Sequence, residues 1–510
     1  MSTIVNEVRK GFYLDSVALM RLSAEISAMG GIEEAVLMIG TPSNLQIMQD
    51  AGVLNSTGDS ASPNDLVIAL RADGKSSANR ALAHANKSLE GGALKSNSSE
   101  ARARTLRGSL ATNPDSNLAL ISTPGSYAAR EARSALDLGL SVMIFSDNVS
   151  IEQESSLKKL ASQKGLIVMG PDCGTAYINR VPLAFANALA PDTTISNETL
   201  HTAAIAASGT GLQEFAVLLT RLGGKLIHGI GVGGRDLSDA IGGISTLTAI
   251  DLLAADENVD QIVMISKPPG PDTAKLVFDK LANCGKPVIA CVFDQASNAL
   301  ATGIQHASDL RHAAELATSE TMNRQDNTQL AKELISNITA TRKLLVGLYT
   351  GGTLCTESQL VLKRAAVETS SNAPAPGLQG LRKDNNTTHR IIDLGADEYT
   401  VGRPHPMMEP LVRVGELEAA LADPHVAVIL LDVVLGYGAH NNPSEAVVEA
   451  MQKVADIKDK PVVIASVCGT EYDPQDLHQQ RAALTVSGIT VCNCNVAAAE
   501  LAAEIINQLS

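Results

Sequence analysis

Short β-branched runs recur along this chain, each followed by a glycine-bearing turn and an amphipathic stretch, and that alternation admits few folds. The clearest run, Asn117-Leu-Ala-Leu-Ile-Ser122, leads into a helical pattern over 126–138. Ser141-Val-Met-Ile-Phe145, a second helical pattern over 151–163 and Leu166-Ile-Val-Met169 follow. Strands joined through helices by short connections pair in parallel. Hydrophobic residues make up 45% of the chain but aromatics only 3%, so small aliphatic side chains must fill the interior, as in parallel sheets covered by helices.

The 510 residues suit about three domains. Earlier strands are expected at 35–39 and 66–70, with a helix and a polar insertion over 75–115. A second unit has expected strands at 202–207, 225–230, 261–266 and 287–292. Residues 318–342 read as a helical linker. A third unit has expected strands at 344–349, 390–394, 426–431, 462–466 and 489–491, with a loop over 369–388. Units two and three read as an internal repeat. Ala206-Ala-Ser-Gly-Thr-Gly-Leu-Gln213 resembles Leu348-Tyr-Thr-Gly-Gly-Thr-Leu354, Ile262-Val-Met-Ile-Ser266 resembles Val428-Ile-Leu-Leu-Asp432, and Gly285-Lys-Pro-Val-Ile-Ala290 resembles Asp459-Lys-Pro-Val-Val-Ile464. The architecture expected is α/β: one unit, then two copies of another.

A formal charge of −15 argues against a nucleic-acid or anionic-membrane surface, which would need basic patches. It leaves room for a phosphate held by backbone amides at a helix N-terminus. The seven cysteines, an odd number, and the absence of a signal-peptide core or of an apolar run long enough to span a bilayer point to the reducing cytoplasm.

Five motifs carry candidate chemistry. Ser208, Gly209, Thr210 and Gly211 follow one buried strand and open a helical pattern; Thr350, Gly351, Gly352 and Thr353 do the same in the repeat. Such turns let a ligand approach backbone N–H groups at the positive end of a helix dipole, although a plain strand-to-helix turn also uses these residues. Gly170-Pro-Asp-Cys-Gly-Thr175 would bring Asp172, Cys173, Gly174 and Thr175 to a crevice, with Cys173 read as a small buried side chain. In Gly229-Ile-Gly-Val-Gly-Gly-Arg-Asp236, Gly233 and Gly234 would line the same crevice. There Arg235 either clamps a carboxylate or phosphate or pairs with Asp236 or Asp239. In Val401-Gly-Arg-Pro-His-Pro406, two prolines stiffen a loop carrying Arg403 and His405, an anion-binding and a proton-exchanging group, or a solvated loop. Cys468, Cys492 and Cys494 lack a second ligand cluster and imply no metal.

These motifs, in this order, resemble the α subunit of succinyl-CoA synthetase: Gly170-Pro-Asp-Cys, a strand ending in Ala-Ser-Gly-Thr, Gly231-Val-Gly-Gly, and Asp260-Gln-Ile-Val-Met-Ile. Nearly the whole chain resembles the FdrA family of that superfamily, over 142–174, 233–249, 349–354, 391–407 and 430–434. The resemblance implies a Rossmann-like, CoA-binding-type domain over 1–195, a flavodoxin-like ligase-type domain over 196–320, a linker over 321–342 and a second flavodoxin-like domain over 343–510. In the superfamily two such helix N-termini face a phosphohistidine. No Gly-His-Ala-Gly-Ala loop is present here. His306 stands in another context, Lys267 stands near the place of the glutamate that would hold that histidine, Gly11-Phe-Tyr-Leu-Asp-Ser16 retains one glycine of the CoA cradle, and no stretch looks like ATP-grasp.

The FdrA resemblance implies one subunit of an oxamate carbamoyltransferase of allantoin catabolism, converting oxalurate and phosphate to oxamate and carbamoyl phosphate. The two turns would bind phosphate, Arg235 or Arg403 would orient the carboxylate, and His405 would assist. The ligand would be phosphate, carbamoyl phosphate or CoA, and the partners other subunits of a hetero-oligomer. The alternatives are an ADP-forming acyl-CoA synthetase subunit with an ATP-grasp partner, or a non-catalytic ligand-binding or scaffold subunit.

Overall fold

The computed structural model describes residues 2–12, 16–27, 29–92, 103, 105–196, 198–295, 300–324, 326–336, 338–381, 388–400, 405–457 and 459–509. They form two compact units, one holding the described residues up to Ala103 and the other those from 105 onward.

The first unit runs β1 (Thr3–Arg9), α1 (Ser16–Ser27), β2 (Ile32–Ile39), α2 (Pro42–Asp50), α3 (Ser56–Asp59), β3 (Leu66–Ala72) and α4 (Lys75–Gly92). Its sheet has the order β1-β3-β2, and β3 is antiparallel to both neighbours. Because β3 is central, both its faces are covered. Leu66, Ile68 and Leu70 pack with Leu22, Ile26, Ala81 and Leu89, while Val67 and Ala69 pack with Met48 and Val53. This differs from the single parallel unit expected over 1–195. Hydrophobic periodicity locates strands such as 35–39 and 66–70, but not their partners or direction.

The second unit begins with α5 (Leu106–Thr112), β4 (Leu118–Ile121), α6 (Gly125–Asp137), β5 (Ser141–Ile144), α7 (Ile151–Gln163) and β6 (Val168–Met169), a parallel sheet of order β4-β5-β6. A capping box between Ser150 and Gln153 starts α7. The hairpin β7 (Thr175–Ile178) and β8 (Val181–Ala184) does not extend this sheet. It joins the next one through an antiparallel bridge from Tyr177 to Gly229.

That next sheet comes from β9 (His201–Ala206), α8 (Gly209–Arg221), β10 (Lys225–Gly231), α9 (Ile244–Ala255), β11 (Gln261–Ser266), α10 (Pro271–Ala282), β12 (Val288–Val292), β13 (Ile304–His306) and α11 (Leu310–Thr318); α12 (Asn327–Ile335) follows. The third runs β14 (Leu344–Tyr349), α13 (Gly352–Arg364), β15 (Thr369–Ser371), β16 (Gln379–Gly380), β17 (His389–Asp393), α14 (Asp397–Thr400), α15 (Leu411–Ala422), β18 (Val426–Val434), α16 (Glu445–Lys453), β19 (Val462–Cys468), α17 (Leu477–Val486), β20 (Thr490–Cys492) and α18 (Asn495–Leu509). Within 369–388, expected as loop, β15 and β16 extend the sheet beyond β17.

Five parallel strands follow one order in both sheets, β13-β12-β11-β9-β10 and β20-β19-β18-β14-β17. Counted from the first strand of each domain, with the edge pair β15 and β16 left out, this is 2-1-3-4-5, the flavodoxin-like doubly wound order. The two domains share a core. Leu212, Phe215 and Leu219 of α8 join Leu354, Leu360 and Leu362 of α13 and Val496 and Ile505 of α18 in one cluster. Both α8 and α13 are buried on most sides because each is enclosed between sheet and neighbouring helices.

Candidate functional site

In a sheet of this order the chain leaves the first and third strands toward opposite faces, and the crevice at their carboxyl ends is where ligands bind. The turns 207–209 and 350–352 stand at that point in each domain, and the shared core brings them against each other. Ser208 caps α8, and its Oγ shares a hydrogen bond with Thr353 Oγ1 of α13. The Thr353 amide donates to Thr210 Oγ1 at 3.4 Å. A Cβ on Gly351 would lie 3.1 Å from Thr210, and one on Gly209 would lie 2.9 Å from Thr175 Oγ1. The contact circuit continues through Thr175 Oγ1 and the Phe185 carbonyl, and through the Phe185 and His405 rings with centroids 6.5 Å apart. It closes through Gly395, Asp393 and Gly352. The duplicated turns expected to meet are therefore brought together, with Thr175 and His405 on their border.

The two turns are not equivalent. At α13 the Thr350 and Gly351 amides donate to the Asp432 carboxylate at 2.8 and 2.7 Å, and Thr350 Oγ1 lies 3.1 Å from both its oxygens. Asp432 is fully buried on β18 and paired with the buried Arg413 at 2.9 Å. The expectation that Thr350 and Gly351 hold phosphate is thus corrected: a carboxylate of the chain itself takes those donors. At α8 the counterpart is apolar. Leu431 pairs with Leu348, which sets Asp432 beside Tyr349, the last residue of β14, whereas Ile265 pairs with Ala206, the last residue of β9. Ile265 Cγ2 lies 3.3 Å from where a Gly211 Cβ would be. The sequence match of Ser266 to Asp432 was one residue out of register, and one step in a strand reverses the face. The Gly209 and Thr210 amides, in the first turn of α8, have no acceptor within their own helix.

Two groups absent from the sequence-based site join this crevice. Asp393 ends β17. Its Oδ1 accepts the Gly395 amide at 2.9 Å, and its Oδ2 lies 2.8 Å from where a Cβ on Gly352 would be. Burial pushes its carboxyl up to about 6, with Asp432 adding and the Lys267 charge opposing. Lys267 follows β11, where the resemblance would put a glutamate, so the local charge is reversed. A carboxylate at a strand end beside a Gly-Gly turn was the available signal. His405 Nε2 lies 2.8 Å from where a Gly395 Cβ would be. Burial pushes the imidazole down to about 4, with the Asp432 charge opposing, which favours the neutral form at pH 7.

Arg235 is engaged elsewhere. It pairs with buried Glu154 at 2.8 Å and donates to the Val149 carbonyl at 2.7 Å. Glu154 and Asp236 both hold the fully buried Lys158, and Asp236 also accepts the Ser245 and Thr246 amides at the start of α9. Neither Asp236 nor Asp239 is its partner. Cys173 is buried behind the crevice, its Sγ 3.3 Å from the Gly231 carbonyl, and burial pushes its thiol up to about 12. Asp172 is exposed on the turn before it. Gly233 packs on that turn, since a Cβ there would lie 2.5 Å from the Pro171 carbonyl oxygen. Positions for a Cβ on Gly234 and Gly174 lie 3.8 Å from the Ala207 oxygen and from Phe185. Arg403 lies outside the described residues. His306 is on the edge strand β13, its Nε2 3.0 Å from the Gln295 carbonyl.

Doubled 2-1-3-4-5 sheets with opposed turns at their switch points define a protein of the CoA-ligase type, and the CoA-ligase family model matches residues 348–505. Residues 1–105 match a second model, described as AllF, heavy metal-associated domain. Over 513 residues, and 98% of each chain, the sequence is 36% identical to uncharacterized protein YahF of Escherichia coli (strain K12). The chain belongs to this family, the FdrA-type branch of the succinyl-CoA synthetase-like proteins. Among solved structures it is similar to the dinucleotide-forming acetyl-coenzyme A synthetase 1 of Ca. Korarchaeum cryptofilum, with 14% identity, 77% of this chain and 83% of that one covered, and a TM-score of 0.29. It is also similar to ATP citrate lyase of Methanothrix soehngenii, with 15% identity, 44% and 39% covered, and a TM-score of 0.31. Superpositions that loose assign no residue.

The first unit does not fit a heavy metal. Residues 1–105 contain no cysteine and one histidine, His84, which contacts Glu25 at 2.7 Å. Soft metals require thiolate or clustered imidazole ligands, and no group of three His, Cys, Asp or Glu is gathered among the described residues. Among the same residues no helix is long and apolar enough to cross a membrane.

Proposed function

We propose that this chain is the FdrA-type subunit of a carbamoyl-transferring enzyme of the cytoplasm. With partner subunits it would convert oxalurate and phosphate to oxamate and carbamoyl phosphate. The observation that carries this reading is the asymmetry of the two turns. The α13 turn is neutralised internally by Asp432, while the Gly209 and Thr210 amides of the α8 turn, beside the Ser208 hydroxyl, donate to no carboxylate among the described residues. Phosphate binding at first-turn amides that have no acceptor of their own is favourable, and donors fixed in advance stabilise charge that develops on a transferring group. Lys267 adds a positive charge at the same crevice. No covalent phosphohistidine is required for this reaction.

Carbamoyl phosphate formation from oxalurate and phosphate, with the purified chain and with the subunits encoded beside it, tests the reading. Activity supports it; silence in every combination removes it. Phosphate should raise the melting temperature, by an amount equivalent to about 2.7 kcal/mol at 100 times its Kd, and Gly209→Ala should abolish that response through its contact with Thr175. An acyl-CoA synthetase subunit is the second reading, favoured by the CoA-ligase match. Acyl-CoA formed from ATP, CoA and acid with an ATP-grasp partner would select it.

A further inference from the structure

The Asp393 carboxylate is 8% exposed, and Oδ2 accepts no hydrogen bond from any described residue. It lies beside Gly352, at the N-terminus of α13 and within the contact circuit that carries Ser208 and Thr353. That oxygen is not among the fully buried unpartnered atoms of the described residues, so a ligand can reach it without displacing a protein donor. The backbone around it is secured: the Asp393 amide donates to Asn372 Oδ1 at 2.8 Å, and Asn372 Nδ2 donates to the Asp393 carbonyl at 2.9 Å. The side chain is fixed through Oδ1 by the Gly395 amide, which leaves Oδ2 for a ligand.

We propose that Asp393 is the catalytic acid–base residue of this crevice, carrying one proton between the two leaving and attacking atoms of the carbamoyl transfer. The proposal rests on the carbamoyl-transfer reading. In that reaction a phosphate oxygen forms a bond to the carbamoyl carbon, and the bond from that carbon to the oxamate nitrogen breaks. The phosphate hydroxyl loses a proton and the departing nitrogen gains one, so a single group that accepts the first and donates the second leaves the balance unchanged. No metal, oxidant or further reactant enters.

The groups facing Asp393 suit it for the exchange. Asp432 of β18 and Glu398 of α14 disfavour its charge, Lys267 after β11 favours it, and the neutral His405 stands across Gly395. With burial the largest influence, the carboxyl rests near 6, close enough to neutrality to accept and release a proton.

The test uses the assembled enzyme. Asp393→Asn keeps an acceptor for the Gly395 amide, so the fold and assembly should persist while kcat falls on the order of 100-fold with KM unchanged. Lys267→Gln removes the charge that favours the carboxylate, so the acidic limb of kcat/KM should move to higher pH. A purely structural Asp393 would not produce that movement, nor would titration of free phosphate. Unchanged kcat in folded, assembled Asp393→Asn overturns the proposal, as does a limb that Lys267→Gln leaves in place, which decides the matter even if the asparagine variant fails to fold. If the wild-type assembly makes no carbamoyl phosphate, the reading beneath the proposal has failed instead.

Discussion

Glu214 and Glu357 occupy the same place in the two repeated helices, the sixth residue of each, and each caps the closing helix of the opposite domain. Glu214 Oε1 accepts the Asn495 amide at the start of α18 at 3.1 Å; Glu357 Oε1 accepts the Leu310 amide at the start of α11 at 2.9 Å. Asn495 Nδ2 also donates to Glu357 Oε2 at 2.8 Å, so one residue links the pair through its amide and its side chain. The crossed capping ties the duplicated domains together beneath the crevice and keeps the two turns in contact.

This clamp makes stability depend on pH. Burial, then the Asp309 charge, push Glu357 from 4.5 up to about 8, and burial also raises Glu214. The folded state then binds more protons than the unfolded chain between these limits, so the contribution is largest below 4.5 and is lost as pH rises through about 8. Melting temperature should fall between pH 6 and pH 9, and Glu357→Gln should flatten that slope. A wild-type melting temperature that rises over this range would contradict the assignment.

Asp432→Asn should destabilise the protein strongly. Arg413 would remain buried without its charged partner, a loss of about 3–5 kcal/mol. Denaturant unfolding at pH 7 measures it. A change below about 1 kcal/mol would mean that the carboxylate does not hold the turn.

Arg235→Gln should act on stability and not on substrate. Removing the partner of buried Glu154 is expected to cost about 1–3 kcal/mol, with KM for phosphate and oxalurate unchanged in the assembled enzyme. A tenfold rise in either KM would restore the role of anion clamp.

The thiols should separate by access. Cys284 is half-buried and the other six cysteines are buried, and burial raises Cys173 and Cys492 to about 12. A disulfide reagent at pH 8 should therefore titrate one thiol in the folded protein and seven after unfolding. Fast modification of Cys173 in the folded protein would show it to be open to the crevice.

Strand positions, the repeated strand–turn–helix units and the two Gly/Ser/Thr turns are all legible in the sequence, because they follow from local periodicity and from backbone freedom at small residues. The 2-1-3-4-5 order was accessible only through the family resemblance. Pairing direction in the first unit was not accessible, since both partners of β3 are distant in sequence and an antiparallel partner leaves the same alternation as a parallel one.

The sequence by itself therefore determined which segments fold and which residues offer backbone amides to an anion. Tertiary structure alone decided which of those amides remain available. Gly351 meets a carboxylate because β18 carries Asp432 where β11 carries Ile265, and the roles of Arg235 and Asp393 depend on Glu154 and Gly352, partners that only folding brings near. Electrostatic partnership is a matter of ångströms in space, and separation along the chain carries no record of it.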